Sequence, residues 1–377
     1  MIYLNNAATS YPKAPGVVDA VRSALTDAPG PPGRTAAEDR STLDECRDLI
    51  AEQLAVRDPH RIVLTPGSTY SINLALWGLG LRAAHRVVTT VTEHNSVLRP
   101  LYHLRERHGT SIAIVGLGAD GALDMDRFKT ALESGATLVA ANHASNVTGR
   151  VNDVACLFSM AHEAGAVTLL DASQSLGHVP VHPEELGADL VAFTGHKGLL
   201  GPPGTGGLYV DPNLDLEPML VGGTGVRSDL MLHPADMPTR LEAGTPNLPG
   251  FAGLAAALRW TAGPERQGPA VASAMAERLR DGLRTLRGVR LVDDDSRAQR
   301  VPVVSFVVDG WSVDEAGYAL ACSFGVQCRS GLHCAPLIHQ ALGTWPHGTV
   351  RLSPSAFTTT EEIARAVEAV ARLAGCA

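Results

Sequence analysis

The chain has 377 residues, long enough for two domains that each bury a core of their own. A hydrophobic share of 45% is ordinary for a globular protein, and a formal charge of -8 with no basic run lacks the electrostatic footprint of a nucleic-acid binder. No apolar stretch approaches the ~20 residues of a membrane-spanning helix, and the opening Met1-Ile2-Tyr3-Leu4-Asn5-Asn6 lacks the basic flank and apolar core of a signal peptide. A cytoplasmic protein with no membrane partner is therefore expected. The cysteines Cys46, Cys156, Cys322, Cys328, Cys334 and Cys376 include no C-x-x-C pair, so no disulfide framework is suggested. Cys328, His333, Cys334 and His339 lie close in sequence but match no usual zinc spacing, and no metal is expected.

From about Thr35 to Asp211, strand-like apolar runs alternate with helical stretches, the pattern of a mostly parallel sheet covered by helices. Leu43, Cys46, Leu49, Ile50 and Leu54 fall on one face of a helix over Thr42 to Leu54. The strand Arg61-Ile62-Val63-Leu64 is followed by Pro66-Gly67-Ser68-Thr69 and a helical stretch from Tyr70 to Leu79. Amides and hydroxyls at such a helix start suit an anion, although Ser and Thr are equally at home there as plain caps. The strand-like Arg86 to Val91 leads to Thr92-Glu93-His94-Asn95. An imidazole at a strand exit suits stacking on a flat ring and proton relay near neutral pH; a satisfied structural histidine is the alternative.

Next, the apolar Ala166 to Leu170 ends in Asp171, followed by Ala172-Ser173-Gln174. A carboxylate at the end of a buried strand needs a positive partner, unless it merely caps the following segment. The run Ala188 to Phe193 leads into Thr194-Gly195-His196-Lys197, and Gly198 to Gly207 is too rich in Gly and Pro for helix. Lys197 thus hangs on a strand-exit loop, where open parallel sheets bind their ligands. A partly desolvated amine there loses its proton readily enough to form a Schiff base, whereas a lone lysine in a flexible loop is ordinarily surface decoration.

The polar, Pro-rich stretch from Val210 to Pro249 breaks this rhythm and is expected to pack against a partner subunit and the active site. Beyond it, Val271, Met275, Leu279, Leu283 and Leu286 form one stripe of a long helix that stops at Gly288. Strands are expected around Val289 to Val292 and Val301 to Val308, then a helix from Val313 to Gly325. A closing helix spans Thr360 to Ala374, with a Thr cap and Glu361 and Glu362 in its first turn. This tail reads as a small α+β domain.

In order and spacing these pieces resemble the class V aminotransferase family of fold-type I pyridoxal-phosphate enzymes, most closely its cysteine desulfurases and selenocysteine lyases. The resemblance begins at Tyr3-Leu4-Asn5-Asn6-Ala7-Ala8-Thr9 and takes in Ala144-Ser145-Asn146-Val147-Thr148-Gly149, Glu242-Ala243-Gly244-Thr245-Pro246-Asn247 and Arg329-Ser330-Gly331-Leu332-His333-Cys334-Ala335-Pro336. It implies an α/β fold: a large cofactor domain over 13–250 with a mostly parallel, seven-stranded sheet, and a small α+β domain from 1–12 with 251–377.

By the same resemblance, Lys197 carries pyridoxal 5'-phosphate, Asp171 pairs with its pyridinium nitrogen, Gln174 donates to the ring's phenolic oxygen and His94 stacks on the ring. Asn146 lies near that oxygen and the substrate carboxylate. Ser68, Thr69, Thr194 and His196 match the phosphate contacts, and Thr245 matches one supplied by the second subunit of a homodimer. Arg351 matches the arginine that grips the substrate carboxylate through two parallel hydrogen bonds, with Arg329 a weaker candidate. Cys334 matches the cysteine that takes sulfur from L-cysteine as a persulfide, leaving alanine, and hands it to an acceptor. Such an attack needs a thiolate, and Arg329 and His333 are neighbours of the right kind. Where many relatives have Thr and a second His, this chain has Ser330 and Leu332. The short run from Gly331 to Ala335-Pro336 implies a sheltered cysteine loop that an acceptor must reach into. A selenocysteine lyase, or a carbon-sulfur lyase acting on a cysteine derivative, is the alternative activity.

Overall fold

Seven strands form the central sheet, in the spatial order Ile62–Thr65, Gly206–Val210, Leu190–Thr194, Val167–Asp171, Leu138–Asn142, Arg86–Thr90, Ser111–Val115. All run parallel except Gly206–Val210, which is antiparallel to both neighbours. The computed structural model describes residues 1–27, 41–263 and 268–375; Cys376, and the start of the alternation near Thr35, lie outside them.

The strands read as continuous apolar runs because helices cover both faces, as parallel sheets require. Side chains alternate faces with the period of two. Val88, Val139, Ala141, Leu170, Val191 and Phe193 pack in one core with the helices Thr42–Leu54, Met125–Glu133 and Val154–Glu163. Val87, Leu138, Ala140, Leu169, Leu190 and Ala192 pack in the other with Ser68–Gly78 and Asn95–His108. Each of the Val, Leu and Phe side chains contributes about 1.5–3 kcal/mol by leaving water. The helix Leu248–Ala262, which crosses position 250, sends Phe251, Leu254 and Leu258 into the first of these cores.

A second, four-stranded antiparallel sheet follows, in the order Arg329–Gly331, Thr349–Leu352, Val304–Val308, Val289–Leu291. The helices Gly268–Arg284, Val313–Phe324 and Thr360–Leu373 close its core, and all five residues of the expected stripe from Val271 to Leu286 pack there. Capping boxes Ser312/Glu315 and Thr359/Glu362 start the last two helices, and Gly325, at φ 66°, ends the first of them. The N-terminal strand Ile2–Tyr3 runs parallel to Val326–Gln327, placing Ile2 and Leu4 in the same core.

The two sheets meet through polar contacts. Ser305 Oγ donates to Val147 O (2.6 Å), Arg351 Nη1 to Asn146 O (2.9 Å), and the Ala7 amide to Ser353 Oγ (2.9 Å). The loop after Leu138–Asn142 is thereby clamped from the second sheet, and the site forms along this seam.

Candidate active site

A cavity lies at the carboxyl ends of the parallel strands, lined by Ser68, Thr69, His94, Asn146, Asp171, Gln174, His196, Lys197, Arg329 and Arg351 among others. Ten of the sequence-predicted site residues thus converge from segments as distant as positions 68 and 351. Open parallel sheets bind ligands at this place.

Asp171 is the last residue of its strand and is buried. Its Oδ1 accepts from the Ser173 amide (2.9 Å) and from the Ser173 hydroxyl, so the carboxylate is held rigidly. Lys197 follows the strand Leu190–Thr194 and is half-buried. Burial pulls its amine down to about 8; Asp171 opposes this, while the charges of Arg351 and Arg329 add to it. The close packing of this loop explains its glycines: a Cβ on Gly198 would lie 2.3 Å from Leu176 O.

His94 caps the helix Asn95–His108, its Nδ1 accepting from the Ser96 amide at 3.0 Å. A nitrogen that accepts a backbone N–H carries no proton, so neutral His94 holds its proton on Nε2. Burial first, then the charge of Lys197, lowers His94 to about 4, which keeps it neutral. On the opposite wall, Ser68 and Thr69 begin an eleven-residue helix that Gly67 introduces with φ 148°. Thr194 is buried beneath this turn: a Cβ on Gly67 would lie 3.5 Å from its Oγ1. Thr194 itself is not part of the cavity wall. Thr245 is exposed and does not reach the cavity of its own chain.

The antiparallel sheet supplies the rest. Arg351 is only 1% exposed; one nitrogen donates to Asn146 O, while Nε and Nη2 have no partner among the described residues. A buried guanidinium with two free parallel donors is a socket for a carboxylate. Burial, and the facing Arg329, lower Arg351 to about 9, so it remains charged at neutral pH. Arg329 and Arg351 are direct cross-strand partners, an arrangement of like charges that costs stability.

Cys334 is half-buried and is not part of the cavity wall, but Arg329, which is, brings its Nη2 to 3.2 Å from the Cys334 Sγ. Of the two neighbours expected to favour a thiolate, only Arg329 contacts the sulfur. His333 turns into the core: its Nε2 pairs with Thr349 Oγ1 (2.9 Å), its ring lies 5.8 Å from that of His339, and burial holds it well below its ordinary range.

Glu93 escaped the sequence reading. It is fully buried, its Oε1 accepting from Thr90 Oγ1 (2.6 Å) and the Asn142 amide (3.0 Å), and burial raises it to about 8. It therefore ties together two strand ends beside Asp171. Its position between Thr92 and His94 was the only available signal.

The model of the Aminotransferase class-V family matches residues 2–366, and the chain belongs to that family. A probable cysteine desulfurase of Methanothermobacter thermautotrophicus is 34% identical over 345 residues, 88% of this chain and 84% of the relative. The cysteine desulfurase CsdA of Escherichia coli is 30% identical over 383 residues, 98% of this chain and 93% of the relative. Among solved structures, the apo cysteine desulfurase of Thermococcus onnurineus NA1 superposes with a TM-score of 0.88 at 32% identity, covering 99% of this chain and 94% of the other. Enzymes of this family use pyridoxal phosphate, and the fold is that of fold-type I.

Proposed function

We propose that the chain is a pyridoxal-phosphate-dependent cysteine desulfurase, converting L-cysteine to L-alanine and holding the sulfur as a persulfide on Cys334. The observation that carries this reading is the 3.2 Å contact between Cys334 Sγ and Nη2 of Arg329, which lines the cavity that contains Lys197 and Asp171. The cofactor fits the residues present. An unpartnered buried nitrogen remains at His196 Nδ1, a helix start offers hydroxyls for a phosphate, and Asp171 is a fixed carboxylate for a pyridinium. Lys197, Asp171, His94, Gln174, Asn146, Ser68, Thr69 and His196 would hold it, with Thr194 packed behind the Gly67 turn. When bound, the cofactor supplies an electron sink for the carbanion at the substrate's alpha carbon.

Arg351 binds the substrate carboxylate through Nε and Nη2, with Asn146 and Arg329 beside it. The Asp171 carboxylate, fixed by the Ser173 amide, keeps a positive partner in place. Lys197 carries a proton on Nζ, and an amine whose pKa lies near 8 both takes up and releases one near neutral pH. The substrate sulfur passes to Cys334 Sγ as the carbon-sulfur bond breaks, so L-cysteine and a thiol become L-alanine and a persulfide with atoms balanced. Arg329 stabilises the sulfur anion.

Thr245 would complete the phosphate site of a second copy in a homodimer. Its exposure, and the exposed Val221, Met231 and Leu232 within the same Val210 to Pro249 stretch, support such an interface. The division into a cofactor domain (13–250) and a small domain (1–12 with 251–377) belongs to this proposal, with the boundary moved past the helix Leu248–Ala262 that packs in the cofactor domain's core, as does a cytoplasmic location. Among the described residues no helix is long and apolar enough to cross a membrane.

With L-cysteine as sole substrate, one alanine is expected per protomer, together with a one-sulfur mass gain on the Cys334 peptide. Cys334→Ala is expected to abolish both while keeping the yellow cofactor band. Sulfide released at an undiminished rate by that variant would overturn the reading in favour of a carbon-sulfur lyase.

A further inference from the structure

In a single copy of the chain, an open groove of about 420 Å³ adjoins the active site, sharing Thr69, His94 and Ser96 with it. Cys334 forms part of its wall, together with Asn73, Trp77, Arg99 and His103. Among the described residues no carboxylate lines it, although the chain carries 39 acidic residues against 31 basic ones. Arg99 and His103, one helical turn apart on Asn95–His108, are both exposed.

Cys334 cannot swing out through this groove without breaking its anchors. Asn146 Nδ2 donates to His333 O and the Asn95 amide to Cys334 O, both at 2.7 Å. The helix Pro336–Ala341 begins two residues on. His333 and Cys334 both sit in the left-handed region, at φ 50° and 59°, a conformation that persists only where the surroundings enforce it. An acceptor must therefore come to the sulfur. The groove's volume falls in the range of small-molecule sites, roughly 300–1,000 Å³, which favours a small thiol over a folded protein's surface.

We propose that this groove binds a low-molecular-weight thiol bearing a carboxylate, which takes the sulfur from Cys334. The assignment rests on the desulfurase reading above. The carboxylate meets Arg99 and His103, the carbon chain lies along Trp77, and the thiol reaches the cysteine. The acceptor thiol gives its proton to solvent and its thiolate attacks the outer sulfur of the persulfide. The sulfur-sulfur bond breaks, and Cys334 leaves as a thiolate facing Arg329 before regaining a proton. One persulfide and one thiol are exchanged for another pair, with no external oxidant or reductant.

The test uses holoenzyme loaded with L-cysteine and freed of excess substrate, followed by mass spectrometry of the Cys334 peptide. Discharge by 3-mercaptopropionate is compared with discharge by 2-mercaptoethanol and by cysteamine, at equal thiolate concentration. A preference of about tenfold or more for the carboxylate is expected, collapsing in Arg99→Gln and reversing toward cysteamine in Arg99→Glu. Equal rates with all three thiols, or a preference unchanged in Arg99→Gln, would overturn the proposal, as would discharge only by a protein acceptor. A second arm needs no persulfide: the rate at which Cys334 itself reacts with an anionic disulfide, relative to a neutral one, is expected to fall in Arg99→Gln. If L-cysteine leaves no sulfur on Cys334, the desulfurase reading fails, and this second ratio still decides whether the groove selects anions.

Discussion

The two sheets contribute to one cavity in opposite ways. At the ends of the parallel strands, polar groups are braced: Asp171 by Ser173, His94 Nδ1 by Ser96, and the Asn142 amide by Glu93. At the edge of the antiparallel sheet, two guanidiniums face each other in register, and Arg351 keeps two buried donors unpaired. The first arrangement suits a group that stays. The second carries an electrostatic cost that a negative group would relieve, since a buried unpaired charge is costly, and it suits a ligand that comes and goes. Under the proposed function, cofactor holding would fall to one sheet and substrate reading to the other.

That division predicts separable failures. Lys197→Ala strikes the holding half and is expected to lower turnover of cysteine by ~10³-fold or more. Borohydride treatment should then leave no cofactor mass on the 197 peptide, and a stable adduct on another lysine would break the assignment. Asp171→Asn removes an ionic partner worth about 2–4 kcal/mol, so a loss of roughly 30- to 1,000-fold is expected, with a shifted absorbance band.

Variants in the reading half are expected to spare the spectrum. Arg351→Lys keeps a charge but forfeits the bidentate grip, worth about 1.5–3 kcal/mol. A roughly 10- to 100-fold fall in kcat/KM should follow, chiefly through KM, with the yellow band intact. Loss of that band in Arg351→Lys would show that the two halves are not separate. Arg329→Gln is expected to have a smaller effect, about tenfold, on the rate of the Cys334 mass gain in a single turnover, with less change in KM.

Regular elements were legible because their cues were local. The stripe from Val271 to Leu286 and the Thr359 cap needed no tertiary information, and the run ending at Asp171 showed where a strand stops. The strand Gly206–Val210 was not legible. Its first residues are glycines because the neighbouring strand and the Gly67 turn leave no room: a Cβ on Gly206 would lie 2.5 Å from Phe193 O, and one on Gly207 2.4 Å from the Phe193 ring. Glycine therefore signals crowding there, whereas in sequence it reads as loop. Orientation was equally hidden. His333 and Cys334 are adjacent in sequence, yet only the fold turns one inward to Thr349 and the other toward Arg329. The clusters themselves rest on contacts across 22 or more residues, such as Arg329 with Arg351, which no local pattern encodes.

The smallest expected effect is the most direct probe of the holding half. A neutral amine attacks an aldehyde and an ammonium does not, so cofactor uptake by the apo-protein should track the neutral fraction of Lys197. With its pKa lowered to about 8, uptake should rise about tenfold per pH unit below that value and level off above it. An unperturbed lysine would keep rising to about 10.4. Burial lowers the pKa, and the Asp171 carboxylate raises it. Removing that charge in Asp171→Asn should therefore carry the plateau to lower pH, even as turnover falls. Stopped-flow absorbance at the band of the lysine adduct measures both curves. A plateau that moved upward in the variant would mean that Asp171 does not act on Lys197 across the cavity, and the holding half would lose its electrostatic basis.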